Sequence, residues 1–96
     1  MTSSKNKQNK IQIARVISKN LLFRDSANEL FDSINNSEAP EIVIDFNSVQ
    51  SITRSFAHQY LINKEKSKKN IINVNIPPTI KTMFEIIGKI NQDLIC

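Results

Sequence analysis

The chain has 96 residues and a formal net charge of +4, and it contains one cysteine and one histidine. A chain of this length forms one small domain, and a single cysteine, Cys96, excludes an intrachain disulfide and a cysteine-based metal cluster. No apolar run approaches the roughly 20 residues of a membrane helix, and the N-terminus lacks the apolar core of a signal peptide. We therefore expect a soluble cytoplasmic protein with no membrane association and no cofactor.

The N-terminal region is predicted to be a tail followed by a strand. Residues 1–10 are polar, carry three lysines and have no periodicity, which is typical of a disordered basic tail. The predicted domain therefore covers residues 11–96. From Lys10 to Val16, Ile11 and Ile13 alternate with polar neighbours, which predicts a half-buried strand.

Two helices enclose a buried strand in the middle of the chain. The first helix is predicted from about Arg24 to Asn35. After a turn of asparagine, serine and proline, a β-branched and aromatic run from Ile42 to Phe46 predicts the strand. The second helix is predicted from about Arg54 to Lys68. The residues expected on the apolar face of the first helix are Ala27, Leu30, Phe31 and Ile34.

The last elements complete an alternating order of strands and helices. Ile71, Ile72 and Val74 predict a short strand, and Pro77 and Pro78 end it and begin the last helix. This order predicts an α/β fold, with a single layer of mostly parallel β-sheet and about three helices. The predicted apolar stripe of the last helix is Ile80, Met83, Phe84, Ile87 and Ile90.

The hydroxyl-rich entry to the second helix is the predicted functional region. Ser51 or Thr53 is expected to cap the helix, because each offers an oxygen to amides of the first turn. Ser55 then lies inside the first turn, where a phosphate would be stabilised by the helix dipole and free amides. Arg54 is placed to pair with such a phosphate or with an acid of a partner. The alternative is that these residues are helix caps beside a surface arginine.

Asp45 interrupts the apolar run of the central strand. A carboxylate at such a position must be hydrogen-bonded or paired. One interpretation is that it accepts hydrogen bonds from backbone amides of the 47–52 loop. The other is that it belongs to the functional region as an acidic group.

Catalysis is not expected from this sequence. It has no glycine-rich phosphate loop, no nucleophile elbow and no closely spaced pair of carboxylates. Ser55 and His58, three residues apart on a helix, are the one pair that suggests a nucleophile and a base. No acid is placed to orient the imidazole, so we interpret His58 as an exposed helix residue and predict a protein that is not an enzyme.

The segment IDFNSVQSITRSFAHQYL, residues 44–61, resembles the STAS-like domain family, small relatives of the sulfate-transporter and anti-sigma-factor-antagonist fold. The resemblance extends over about residues 10–90, and the order of elements agrees with it. The residues that carry it are Ile44, Asp45, Phe46 and Val49, Ile52 before the helix, Ser55, Phe56 and Ala57 within it, and Phe23 and Arg24 before the first helix.

In the better-known antagonists of that fold, the strand is followed by an acidic residue, two hydroxyl residues and a glycine. A partner kinase of the GHKL ATPase type phosphorylates the second hydroxyl. In this chain Thr53 takes the acidic position and Phe56 the glycine position, while Arg54 replaces the first hydroxyl. Ser55 is retained at the phosphoacceptor position. The resemblance therefore implies an interaction module in signalling or transcriptional regulation, which binds a regulatory protein such as a GHKL-type ATPase or kinase.

The positive charge supports an alternative function. Lysines are concentrated in the tail and around the end of the second predicted helix, and such clusters are typical of a nucleic-acid-binding accessory protein. The chain has no aromatic platform on which bases could stack, and its richness in Lys, Asn and Ile is also what AT-rich coding sequence produces. The lysines concerned are Lys5, Lys7 and Lys10 in the tail, and Lys64, Lys66, Lys68 and Lys69.

Overall fold

The structure is a computed structural model, which describes the backbone of residues 8–95 and the side chains of residues 9–89. The described elements confirm the predicted mixed α/β class. In chain order they are β1 (Gln8–Gln12), α1 (Ile13–Val16), β2 (Asn20–Leu21), α2 (Arg24–Asn36), β3 (Glu41–Asp45), β4 (Ser51–Ile52), α3 (Arg54–Lys66), β5 (Asn70–Val74) and α4 (Pro78–Ile95).

The strands form two separate parallel sheets. β3 is the central strand of a three-stranded sheet in the order β1-β3-β5. β2 and β4 form a second sheet of two strands, so the predicted single layer is accompanied by a short parallel pair. Within the described residues no helix is long and apolar enough to cross a membrane.

One face of the three-stranded sheet packs against the helices. Successive side chains of a strand point to opposite faces, so Ile42 and Ile44 share the face of β3 that joins the hydrophobic core. Ile11 is paired with Ile44 and Ile71 with Ile42, and both pack against the same core. Val43 lies on the opposite face. The core therefore lies between the sheet and the helices.

Tyr60 of α3 occupies the centre of this core. Its ring lies edge-on to Phe31 of α2 and to Phe46, with ring centroids 5.3 and 5.8 Å away, and 5.2 Å from Phe84 of α4. The hydroxyl donates a hydrogen bond to Asn73 Oδ1 on β5 at 2.5 Å. Burial raises the pKa of Tyr60, so the phenol stays protonated and remains a hydrogen-bond donor. This one residue therefore ties α2, α4 and the sheet together.

The beginning of the domain differs from the prediction. β1 starts at Gln8, so the last three residues assigned to the tail belong to the strand, while the disorder expected for residues 1–7 lies outside the described residues. The predicted strand to Val16 is wrong beyond Gln12, which pairs with Asp45, the last residue of β3. Without a partner strand beyond that point, the chain turns into α1 and the Ile17 amide donates to the Ile13 carbonyl. Ile13 is fully buried, but as a residue of the helical turn α1. The alternation of apolar and polar residues had predicted that it lies on a strand.

The remaining elements follow the predicted order closely. α3 ends at Lys66, two residues before the predicted end, because Ser67 adopts an extended conformation at its C-terminus. On α4, Ile80 and Ile87 are buried as the predicted stripe requires. The side chain of Ile90, the last member of that stripe, lies outside the described residues.

Candidate functional site

The short parallel pair places the starts of two helices next to each other. Asn20 of β2 pairs with Ser51 of β4, and Leu21 pairs with Ile52. Each strand is followed within three residues by a helix, α2 after β2 and α3 after β4. Since the strands are parallel and neighbouring, α2 and α3 begin at the same edge of the fold and run side by side.

Two of the predicted site hydroxyls hold this edge together. Thr53 is the N-cap of α3, and its Oγ1 accepts a hydrogen bond from the Phe56 amide at 3.2 Å. The same hydroxyl donates to the Leu22 carbonyl at 2.8 Å. The Ser51 hydroxyl donates to Asn20 Oδ1 at 2.7 Å. Thr53 and Ser51 therefore link the entry of α3 to the segment that precedes α2.

Ser55 and Arg54 have a different environment. Both are exposed residues of the first turn of α3. Neither side chain forms a hydrogen bond or ion pair with any residue that the structure describes. Ser55 lines a shallow cavity of about 270 Å³, whose other walls are residues 22–25. The hydroxyl at the predicted phosphoacceptor position is therefore accessible at the surface.

Two exposed apolar residues lie beside Ser55. Leu21 is fully buried, whereas Leu22 is 43% exposed and Phe23 is 67% exposed. We call the surface formed by Leu22, Phe23, Arg24, Arg54 and Ser55 the helix-start surface. The sequence analysis did not identify its apolar part. The signal that was available is the run of three apolar residues before a helix, of which only Leu21 belongs to β2 while Phe23 is the N-cap residue of α2.

Asp45 lies at the end of β3, and its carboxylate serves the fold. The residue is 3% exposed, and its Oδ1 accepts hydrogen bonds from the Asn47 amide at 2.9 Å and from Asn75 Nδ2 at 3.0 Å. Lys10 Nζ lies 3.5 Å from Oδ2. Asn75 has a φ of 55°, a left-handed conformation that asparagine tolerates better than most residues. No described contact joins Asp45 to the helix-start surface, so the geometry favours the first of its two interpretations.

The hydrogen bond from Asn75 holds the pKa of Asp45 below its usual range, the Asn47 amide adds to this, and the Lys10 charge adds further, while burial opposes them. A carboxyl with a lowered folded-state pKa stabilises the fold above its unfolded pKa, and this stability is lost as the pH falls through the folded pKa. We expect Asp45→Ala to lower the free energy of unfolding at pH 7 by about 1.5–3 kcal/mol, the value of a hydrogen bond to a charged group.

Urea titrations of wild type and variant at pH 7 and at decreasing pH test this role of Asp45. The difference between their free energies of unfolding should begin to shrink below about pH 4, the usual pKa of an aspartate in an unfolded chain, and should continue to shrink as the pH falls through the lower folded-state pKa. If the difference in the free energy of unfolding between wild type and variant stays constant over this pH range, the ionised carboxylate has no structural role.

The second lysine cluster is not uniformly available to an anionic partner. Lys69 Nζ donates to the Ser37 and Ala39 carbonyls, the second at 2.8 Å, at the end of α2. Lys66 and Lys68 are exposed, and Lys64 is half-buried. Lys5 and Lys7 lie outside the described residues. Nucleic-acid binding stays a prediction for which the described residues offer no additional support.

The described residues contain no group of three His, Cys, Asp or Glu side chains that could hold a metal ion. His58 is an exposed residue of α3. Comparison of the chain with protein-family profiles, with curated proteins and with solved structures finds no match. The resemblance to the STAS-like family therefore stays a prediction, carried by the residues on which it was stated.

Proposed function

We propose that this chain is a non-enzymatic protein-interaction module of a signalling or transcription-regulating system, which binds a regulatory protein through the helix-start surface. The observation that carries the proposal is the 67% exposed ring of Phe23 in the same shallow cavity as the accessible hydroxyl of Ser55.

The composition of this surface supports a protein partner. Scattered apolar residues are common on protein surfaces, but here an aromatic ring and a leucine are adjacent, with Arg24 and Asp25 in the same cavity wall and Arg54 next to Ser55 in the chain. Aromatic and arginine side chains are enriched among the residues that contribute most to binding at protein interfaces. The backbone that carries these side chains is held in place, because Thr53 and Ser51 hydrogen-bond the entry of α3 to the segment before α2. Little backbone freedom would therefore be lost when a partner binds.

Ser55 gives this surface a site for a phosphorylation switch. Phosphorylation would add a charge of about −1.5 to −2 in the first turn of α3, where the helix dipole and Arg54 favour it. The same charge would stand next to the apolar ring of Phe23 and change which partner surface can dock there. By the STAS-like resemblance, the modifying partner is an ATPase or kinase of the GHKL type.

Affinity capture from the native cells tests the proposal. The tagged wild-type chain is compared with the double variant Arg54→Ala, Ser55→Ala, and the intact mass of each purified protein is recorded. We expect the wild type to retain a stable protein partner that the double variant loses. If the switch operates, part of the wild-type protein carries the mass of one phosphoryl group, and the double variant does not.

A matched double variant controls for general surface effects. Ser33→Ala with Lys68→Ala removes one exposed hydroxyl and one exposed cation outside the helix-start surface, and it should retain the partner. Thermal unfolding verifies that both double variants are folded. Equal recovery of the same partners by all three proteins would refute the proposed surface.

A further inference from the structure

A second cavity lies on another part of the molecule, between α3, β5 and α4. Its volume is about 590 Å³, within the range of about 300–1,000 Å³ that small-molecule sites occupy. None of its lining residues belongs to the helix-start surface. Its apolar lining consists of Leu61, Ile71 and Phe84, which are half-buried and pack against the hydrophobic core. The cavity therefore offers an apolar wall that is continuous with the core of the protein.

The one glycine of the chain stands in the wall of this cavity. Gly88 lies in the interior of α4, where glycine is less favourable than alanine. Its backbone does not have a positive φ, so conformation does not require glycine here. A Cβ at this position would meet only Leu61 Cδ1, at 3.9 Å, an ordinary contact. Packing does not require glycine either, and the absent side chain leaves the cavity open.

The charged residues around the cavity carry a net positive charge. Lys64, Lys69 and Lys89 line it together with Glu65 and Glu85. Although Glu85 and Lys89 are four residues apart on α4, no ion pair among the described residues joins any of these five side chains. Lys64 is half-buried and its ammonium has no hydrogen-bonding partner among the described residues.

Lys64 offers an ammonium without a partner among the described residues, whereas the Lys69 ammonium already donates to the Ser37 and Ala39 carbonyls. Lys69 therefore adds positive charge at the cavity but no free donor. A partly desolvated cation without a counter-ion, as Lys64 is, favours an anion more strongly than a fully hydrated one.

From this combination we propose that the cavity binds an anionic amphiphile, a small molecule with an acid group on an apolar body. The apolar body lies on Leu61, Ile71 and Phe84 beside Gly88, and the acid group lies toward Lys64. This inference does not depend on the proposed function of the helix-start surface.

Titrations followed by amide and methyl NMR signals test this site, with sodium octanoate as the anionic probe below its micelle-forming concentration. Octan-1-ol and octylammonium chloride serve as neutral and cationic probes with the same apolar body. We expect octanoate to shift the signals of Leu61, Ile71 and Gly88 saturably, with a dissociation constant of about 1 mM for a ligand of this size. Octylammonium should bind at least about fivefold more weakly, because it meets the lysines with like charge.

Two substitutions at position 88 separate cavity filling from helix stability. Both Gly88→Ala and Gly88→Leu should unfold at or above the wild-type temperature, because either residue favours a helix more than glycine does. Gly88→Leu should weaken octanoate binding about tenfold or more, whereas Gly88→Ala should change it by less than about threefold, since a single methyl group fills little of the cavity.

Lys64→Gln tests the charge independently of cavity shape. It should weaken octanoate binding by up to about fivefold and leave octan-1-ol binding unchanged. The proposal is overturned if octanoate causes no saturable shifts at these residues, if octylammonium binds as tightly as octanoate, or if a folded Gly88→Leu variant binds octanoate as the wild type does.

Discussion

Replacing Tyr60 with alanine is expected to lower the free energy of unfolding by about 3–5 kcal/mol, the range for removing a large aromatic side chain from a core. The ring is fully buried and contacts Phe31, Phe46 and Phe84. Removing it leaves a cavity where α2, α3 and α4 meet, and leaves Asn73 Oδ1 without its donor. Small domains have a total stability of about 5–15 kcal/mol, so this substitution should remove a large part of it. Urea titrations followed by circular dichroism measure the decrease in the free energy of unfolding.

Tyr60→Phe is the matched control for this substitution. It keeps the aromatic packing and removes only the hydroxyl that donates to Asn73 Oδ1. The free energy of unfolding should fall by about 1–2 kcal/mol, because one partly buried acceptor then lacks a hydrogen-bond partner. If Tyr60→Ala costs no more than Tyr60→Phe, the central packing role assigned to the ring is wrong.

Replacing Phe23 with alanine is expected to weaken partner binding about tenfold or more, since buried aromatic anchors at interfaces contribute about 2 kcal/mol or more. The ring is 67% exposed in the free protein, so its removal should change the free energy of unfolding by less than about 0.5 kcal/mol. The partner recovered in the affinity capture, titrated against wild type and variant, provides the measurement.

Ile86→Ala controls for loss of exposed apolar area. Ile86 is a 47% exposed residue of α4 and does not belong to the helix-start surface. Its replacement should leave partner affinity within about twofold, the size of a change well below 1 kcal/mol. Equal weakening by the two substitutions would indicate a non-specific apolar contribution rather than a site centred on Phe23.

Much of the fold was predictable from local pattern. The apolar face of α2 and the β-branched run of β3 identified both elements to within one or two residues, because each buries a continuous face or segment. The pair β2–β4 was not predicted, since strands of two residues carry no periodic signal and exist through pairing of Asn20 with Ser51 across the intervening helix and strand. The end of β1 also depends on its partner, because pairing stops at Asp45.

The candidate site was predictable in its polar part only. Thr53, Arg54 and Ser55 were identified because helix caps and first turns have residue preferences that a sequence shows directly. Phe23 lies between β2 and α2 as the N-cap residue of the helix, and its exposure depends on how this connection leaves the core, which is a tertiary property. Asp45 was recognised as a carboxylate that needs partners, but its main side-chain partner, Asn75, lies 30 residues away and no local pattern indicates it.

Site-specific photo-cross-linking in the native cells tests the central claim most directly. A benzoyl-phenylalanine is incorporated in place of Phe23, and in parallel in place of Ile86, and cross-linked products are identified by mass spectrometry. A binding surface at the starts of α2 and α3 predicts a discrete cross-linked protein partner from position 23 and none from position 86. Cross-linking of the same partner from position 86 but not from position 23 would contradict the helix-start surface as the site of recognition.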